Sequence, residues 1–130
     1  MKDESGDRGR LQGANILLIE DNMLIALDSQ DSLLDAGASE VHIAAASADV
    51  RAALAAGRRF DAAVLDLHLG HETGLALVET LELAGIPFMF SSGLSGDNVI
   101  PPELSRVPML GKPYAPHHLV SAVASVLGRT

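Results

Sequence analysis

Six charged or hydroxyl residues lie at the ends of apolar runs in this chain of 130 residues. They are Glu20, Asp21, Asp66, Ser91, Ser92 and Lys112. Carboxylates that lie close together repel each other unless a cation lies among them. Oxygen ligands without a His or Cys pattern favour Mg²⁺, which binds one or two carboxylates together with waters and phosphate oxygens. The set therefore predicts a magnesium site at which Lys112 and a Ser hydroxyl contact a phosphoryl group and Asp66 is the nucleophile that forms an acyl phosphate.

Short apolar runs alternate with amphipathic segments, and this pattern predicts the elements that position those residues. The predicted strands are "ILLI", "EVHIAAA", "FDAAVLDL", "IPFMFSSG" and "VPMLGKP". The predicted helices cover residues 22–36, 47–56, 73–84 and 116–127, with Ser47 as the N-cap of the second. The alternation is typical of an α/β domain with a five-stranded parallel sheet covered by helices on both faces. We expect the flavodoxin-like strand order 2-1-3-4-5, which brings the ends of strands one, three, four and five to one crevice.

Two segments fall outside the alternating pattern. The stretch "GLSGDNVIPPELSR" contains two Gly and two adjacent Pro and has no helical period. We expect a loop there, with at most one short turn near Pro102, so that the fourth helix is weak or missing. The polar, Gly-containing residues 1–13 predict a disordered tail. Residues 14–128 then form a single domain.

Charge and composition exclude several classes of function. The net charge is −8, which argues against binding to nucleic acid or to an anionic membrane surface. No apolar run approaches the roughly 20 residues that a spanning helix needs. The sequence contains no Cys, so disulfides and thiolate metal sites are excluded. These features favour a cytoplasmic protein.

The motifs together resemble the receiver domain of two-component response regulators. The resemblance covers residues 15–127 and rests on "LLIEDN", "DAAVLDLHLG", the hydroxyl after the fourth strand and "GKPY". A narrower likeness joins "IPFMFSSGL" and "VPMLGKPY" to the receivers called FATGUY, after a Phe-Ala-Thr-Gly-x-Tyr motif. Alignment on that motif places the functional hydroxyl at Ser92 rather than Ser91. Receivers of this subgroup have a weak or missing fourth helix, in agreement with the loop expected above.

The resemblance implies a magnesium-dependent phosphoacceptor. Asp66 accepts the phosphoryl group from a phosphohistidine of a sensor histidine kinase. Asp21, Asp66 and the backbone carbonyl of His68 bind Mg²⁺, and Glu20 acts through a metal-bound water. His68 also borders the path of the attacking water, and we expect it to tune the lifetime of the acyl phosphate.

The resemblance also implies roles for the residues that contact the phosphoryl group. Ser92 contacts the group and moves with it, and Lys112 forms an ion pair with the phosphorylated Asp66. The bond between Lys112 and Pro113 is expected to be cis, because the free-energy cost of a cis peptide bond is small only before proline.

Two positions depart from the usual receiver. Met109 occupies the position of the switch aromatic, three residues before Lys112, and Leu94, which is not aromatic, follows the Gly of the FATGUY-like motif. A ring that changes rotamer therefore cannot report phosphorylation at either position. The output motion stays open.

Several functions remain open at this stage. A receiver without an effector domain would be a phosphorelay intermediate, a phosphate sink or an adaptor, as a monomer or weak dimer, with a phosphotransfer protein or a downstream target as further partners. A pseudo-receiver that binds proteins without phosphorylation is one alternative. A dehalogenase-type aspartyl-phosphate phosphatase is disfavoured, because the general acid that it needs two residues after the nucleophile is replaced by His68. We therefore expect a signalling domain and not a turnover enzyme.

Overall fold

A five-stranded parallel sheet forms the centre of the protein. The structure is a computed structural model that describes residues 8–93 and 100–129. The sheet contains β1 (Asn15–Ile19), β2 (Glu40–Ala44), β3 (Ala62–Asp66), β6 (Phe88–Ser92) and β7 (Met109–Gly111), in the order β2-β1-β3-β6-β7. This order confirms the predicted arrangement of the five strands. A hairpin of two short antiparallel strands, β4 (His68–Leu69) and β5 (Glu72–Thr73), follows β3 and was not predicted.

Helices pack on both faces of the sheet. They are α1 (Met23–Asp35), α2 (Ser47–Ala55), α3 (Val78–Leu83) and α4 (Pro116–Val126). One buried cluster joins Leu18 and Val64 to apolar side chains of α1 and α4. A second joins Leu65 and Phe90 to those of α2 and α3. Because successive strand residues point to opposite faces, neighbouring residues such as Val64 and Leu65 contribute to different clusters.

The helix ends differ from the prediction in two places. Ala46, and not Ser47, is the N-cap of α2, and it makes no side-chain hydrogen bond. The predicted helix over residues 73–84 begins as a 3-10 turn, Gly74–Leu77, and continues as α3. Thr73 caps that turn by accepting a hydrogen bond from the Leu75 amide at 3.2 Å. The second difference coincides with the hairpin, whose last residue, Thr73, directly precedes the turn.

In the described part of the segment between β6 and β7, residues 100–108, Pro102–Leu104 forms a short 3-10 turn, as expected from the paired prolines. Residues 94–99 of the predicted loop, including Leu94, lie outside the described residues. Among residues 8–93 and 100–129, no helix is long and apolar enough to span a bilayer.

Residues 8–13 belong to the folded domain, so the predicted tail boundary is wrong for this segment. Leu11 is fully buried in the cluster shared with α1 and α4. Its amide donates to the Ala36 carbonyl at 2.9 Å, and the Arg10 guanidinium donates to Ser121 Oγ at 2.8 Å. One apolar residue among polar ones is too weak a signal to reveal an anchored segment. Residues 1–7 of the predicted tail lie outside the described part of the chain.

Leu11→Ala is expected to lower the free energy of unfolding by about 3 kcal/mol, because it leaves a cavity between α1 and α4. Urea unfolding followed by circular dichroism measures the change. Leu24→Ala is the matched control, since Leu24 is 82% exposed. Equal stability of the two variants would show that Leu11 does not anchor the segment in solution.

Candidate functional site

Three carboxylates meet at the carboxyl ends of the first and third strands. Glu20 and Asp66 are each only 2% exposed, whereas Asp21 is exposed. One oxygen of each carboxylate lies within 4.8 Å of the others. This spacing suits a cation shared by the three side chains, and hard oxygen donors are the ligands that Mg²⁺ prefers. The residues therefore fit a hard divalent cation.

Lys112 joins two of these carboxylates from the loop after β7. Its Nζ lies 2.6 Å from Glu20 Oε1 and 2.9 Å from Asp66 Oδ2. Burial raises the pKa of Glu20, and Lys112 only partly offsets this effect. Burial lowers the pKa of Lys112, but the hydrogen bonds and charges of Glu20 and Asp66 outweigh it, so the net pKa is raised. The ammonium is therefore held in its charged form beside a carboxylate that burial disfavours as an anion.

Backbone amides orient all three carboxylates. The His68 amide donates to Asp66 Oδ1 at 3.0 Å, and the Gly70 amide donates to Asp21 Oδ2 at 2.8 Å. The Asn22 amide donates to Glu20 Oε2 at 3.0 Å. Gly70 adopts a φ of 59°, which a residue with a Cβ rarely adopts, and this lets the β4–β5 hairpin turn tightly over the site.

The predicted hydroxyl residues end β6, beside the acid cluster. Asp66 is in register with Ser91, and Ser92 is in register with Gly111. Ser92 lies at the end of the strand, where its Oγ donates to the Gly93 carbonyl at 3.2 Å and its own carbonyl accepts from the Lys112 amide at 2.7 Å. Both serines are buried, and Ser91 is the register partner of Asp66, whereas Ser92 lies one residue further along the strand.

The remaining sequence candidates lie around this rim. The peptide bond between Lys112 and Pro113 is cis, as expected. The side chain of His68 is exposed in the hairpin, and Met109 is 44% exposed on β7. Among the described residues, the acid cluster is the one group of three or more possible metal-ligating side chains, and it includes no His.

Gly74 is a site residue that the sequence analysis missed. A Cβ at this position would collide with the carbonyl oxygen of Asp66 and would lie 3.0 Å from the carbonyl carbon of Asp66 and 3.1 Å from Leu67 Cα. The Gly74 amide also donates to the Leu67 carbonyl at 2.9 Å. The backbone that carries Asp66 is therefore packed directly against Gly74. Its only sequence signal was a Gly within a predicted helix, where Gly is disfavoured.

Comparison with known proteins extends these observations. No family model and no curated protein matches the chain. SdrG from Sphingomonas melonis Fr1 is similar at 31% identity, over 91% of this chain and 97% of that chain, with a TM-score of 0.68.

The BeF3-activated conformation of SdrG from Pseudomonas melonis Fr1 is similar at 32% identity, over 87% of this chain and 95% of that chain, with a TM-score of 0.74. A CheY-like response regulator receiver domain from Methylobacillus flagellatus is similar at 25% identity, over 88% of this chain and 99% of that chain, with a TM-score of 0.74. The fold, the acid cluster and these likenesses agree. The chain belongs to the CheY-like receiver domains of response regulators.

Proposed function

We propose that Asp66 accepts a phosphoryl group from the phosphohistidine of a sensor histidine kinase, in a Mg²⁺-dependent reaction. The observation that carries the proposal is the environment of the Asp66 carboxylate, which is buried, bound to Lys112 Nζ at 2.9 Å and grouped with two further carboxylates. A structural ion pair needs no third acid beside it, because the extra charge only adds repulsion. In a site that binds a cation and a phosphoryl group, by contrast, the third acid has a function as a ligand of the cation.

The chemistry follows from the contacts of Asp66. A carboxylate oxygen attacks phosphorus, the bond between phosphorus and the imidazole nitrogen breaks, and the imidazole leaves with the electron pair. The His68 amide and Lys112 Nζ hold the two oxygens of Asp66 in place before attack. Glu20, Asp21 and Asp66, with the His68 carbonyl as a further ligand, would hold Mg²⁺, which when bound neutralises charge on the phosphoryl oxygens.

The acyl phosphate is lost when water attacks phosphorus. The bond between phosphorus and the Asp66 oxygen breaks, and the carboxylate is regenerated with release of inorganic phosphate. Lys112 offers a positive charge to the phosphoryl oxygens, and Ser92 offers a hydroxyl donor at the end of β6. The His68 side chain is exposed and its backbone amide contacts Asp66, which supports a role in the access of water.

The comparisons support finer parts of the proposal. SdrG has a BeF3-activated conformation, and the present chain is 32% identical to it. By analogy we propose that phosphorylation of Asp66 activates this chain. In residues 100–108, the described part of the segment between β6 and β7, the helical structure is the short Pro102–Leu104 turn, which supports assignment to the FATGUY subgroup. Because the proposed donor is a kinase that uses ATP, we propose a cytoplasmic location, with a phosphotransfer protein or a downstream target as a second partner.

Incubation with acetyl phosphate and Mg²⁺ tests the proposal. We expect intact-mass spectrometry to detect the addition of one phosphoryl group and no continuing turnover of a generic phosphate ester. Asp66→Asn should abolish the addition, and EDTA should suppress it. Asp31→Asn, on the exposed side of α1, is the matched control and should be phosphorylated normally. An unmodified wild-type protein, or a modified Asp66→Asn variant, would contradict the proposal and favour a pseudo-receiver.

Metal binding should appear in the stability of Asp21→Asn. In EDTA this variant is expected to be more stable than wild type by about 1 kcal/mol, because one of three neighbouring negative charges is removed. Its amide oxygen can still accept from Gly70. Wild type should gain about 2.7 kcal/mol when Mg²⁺ reaches 100 times its dissociation constant, and the variant should gain much less. Thermal unfolding with and without Mg²⁺ measures both effects, and an equal response to Mg²⁺ in the two proteins would argue against Asp21 as a ligand.

A further inference from the structure

The side chain of Glu72 links the hairpin that carries the oriented amides to the start of a helix by hydrogen bonds. Glu72, on β5, accepts two hydrogen bonds from Ser47 at the start of α2. Its Oε1 accepts from the Ser47 amide at 3.2 Å, and its Oε2 accepts from Ser47 Oγ at 2.9 Å. Ser47 is 8% exposed, so this contact forms at the edge of the core.

Helix α2 lacks a capping side chain at its N-cap, and its first-turn Asp49 accepts from the Ala45 amide, before the helix, at 3.1 Å. Its N-cap is Ala46, which has the extended backbone of a cap residue but no side-chain oxygen. The first amides of a helix need acceptors from outside, and a carboxylate there also interacts favourably with the helix dipole. Glu72 therefore caps α2 from a distant part of the sequence.

The position of Glu72 in the hairpin connects this cap to the acid cluster. Glu72 is in register with Leu69, which lies between His68 and Gly70. The amides of those two flanking residues donate to Asp66 Oδ1 and Asp21 Oδ2. A chain of contacts thus runs from α2, through one side chain and one strand pair, to two carboxylates of the site.

We propose that Glu72 is a positioning residue that holds the β4–β5 hairpin so that its amides fix the orientation of Asp66 and Asp21. This inference rests on the proposed function, because its consequence is tighter binding of Mg²⁺ and faster phosphorylation of Asp66. Groups that orient metal ligands through hydrogen bonds contribute substantially to metal affinity, although they do not touch the metal.

Glu72→Ala tests the proposal directly. We expect hydrogen exchange at the His68 and Gly70 amides, followed by nuclear magnetic resonance, to accelerate about tenfold. Mg²⁺ affinity, measured by calorimetry, should fall about tenfold, and the rate of phosphorylation by acetyl phosphate at a fixed Mg²⁺ concentration should fall with it. Glu79→Ala is the matched control, because it removes the same charge from an exposed position on α3. Equal exchange and equal affinity in the two variants would overturn the proposal.

A second variant separates positioning from simple capping. Ala46→Ser supplies α2 with its own N-cap, so Ala46→Ser/Glu72→Ala should recover the stability that Glu72→Ala loses in urea. The fast exchange at His68 and Gly70 and the weak Mg²⁺ affinity should persist. If slow amide exchange and Mg²⁺ affinity were restored together with stability, Glu72 would act only as a cap. If wild type neither binds Mg²⁺ nor is phosphorylated, the proposed function fails, while the exchange measurement still decides whether Glu72 positions the hairpin.

Discussion

Gly74→Ala is expected to lower the free energy of unfolding by about 3 kcal/mol and to slow phosphorylation of Asp66. A Cβ at Gly74 would meet the backbone of Asp66 and Leu67, with distances of 3.0 Å to the Asp66 carbonyl carbon and 3.1 Å to Leu67 Cα. No side-chain rotation can relieve such a contact, so the backbone at Asp66 and Leu67 has to shift. Urea unfolding measures the loss of stability, and acetyl phosphate labelling measures the effect on Asp66.

Gly111→Ala is the control for the Gly74 variant. An added Cβ at Gly111 has no heavy atom within 4 Å, and neither glycine has a positive φ. The two substitutions therefore impose a similar backbone change and differ in the close approach to Asp66. A Gly74→Ala protein as stable and as readily phosphorylated as Gly111→Ala would show that the backbone near Asp66 tolerates displacement.

Lys112→Met is expected to destabilise the protein in EDTA by about 3 kcal/mol at pH 7. The substitution removes the positive charge that contacts both Glu20 and Asp66, each of which is buried. Removal of one partner from a buried ion pair leaves an uncompensated charge, which is costly. Lys112→Arg retains the charge and should lose much less stability. Urea unfolding of the three proteins provides the comparison.

The loss in Lys112→Met should depend on pH, because burial raises the pKa of Glu20 even in wild type. An acid whose folded pKa exceeds its unfolded pKa stabilises the protein most below the unfolded value, and this contribution is lost as pH rises through the folded value. Without Lys112 the pKa of Glu20 rises further, so the variant should regain stability when the pH falls from 7 towards 5. Lys112 itself has a raised pKa, so its own contribution in wild type is complete at pH 7 and is lost only at alkaline pH.

Lys112→Met/Glu20→Gln isolates the contribution of the glutamate. Glutamine keeps the size and the acceptor oxygen of Glu20 but does not titrate. We expect this double variant to show a weaker pH dependence than Lys112→Met. The same recovery on acidification in both proteins would assign the effect to Asp66 or to groups outside the cluster.

The site residues were predictable because their positions in the sequence follow from the architecture. Asp21, Asp66 and Lys112 each lie just after a strand or at its last residue, and parallel strands present their carboxyl ends at one rim. Once the alternation of strands and helices indicated the sheet, the convergence of these residues followed without any long-range information. Their roles in phosphotransfer stay predictions until the experiments above are done.

Contacts that join distant segments were not predictable in the same way. Leu11 is buried because α1 and α4 leave space for it, and a single Leu in a polar segment carries no periodic signal. Ser47 has the residue type of an N-cap, but the cap position is Ala46 and the capping oxygens come from Glu72, 25 residues away. Local sequence patterns report local preferences, and a partner from elsewhere overrides them.

The strand order, the helix faces and the rim on which the charged residues meet could be deduced from the sequence, because hydrophobic periodicity and the position of strand ends are local properties. The way in which the site is held became visible only in the folded structure. It showed that Lys112 bridges two buried carboxylates, that the hairpin amides orient Asp66 and Asp21, and that Gly74 lies against the acceptor backbone. These features depend on ångström-scale distances between segments far apart in the chain, and such distances are set by packing of the whole domain.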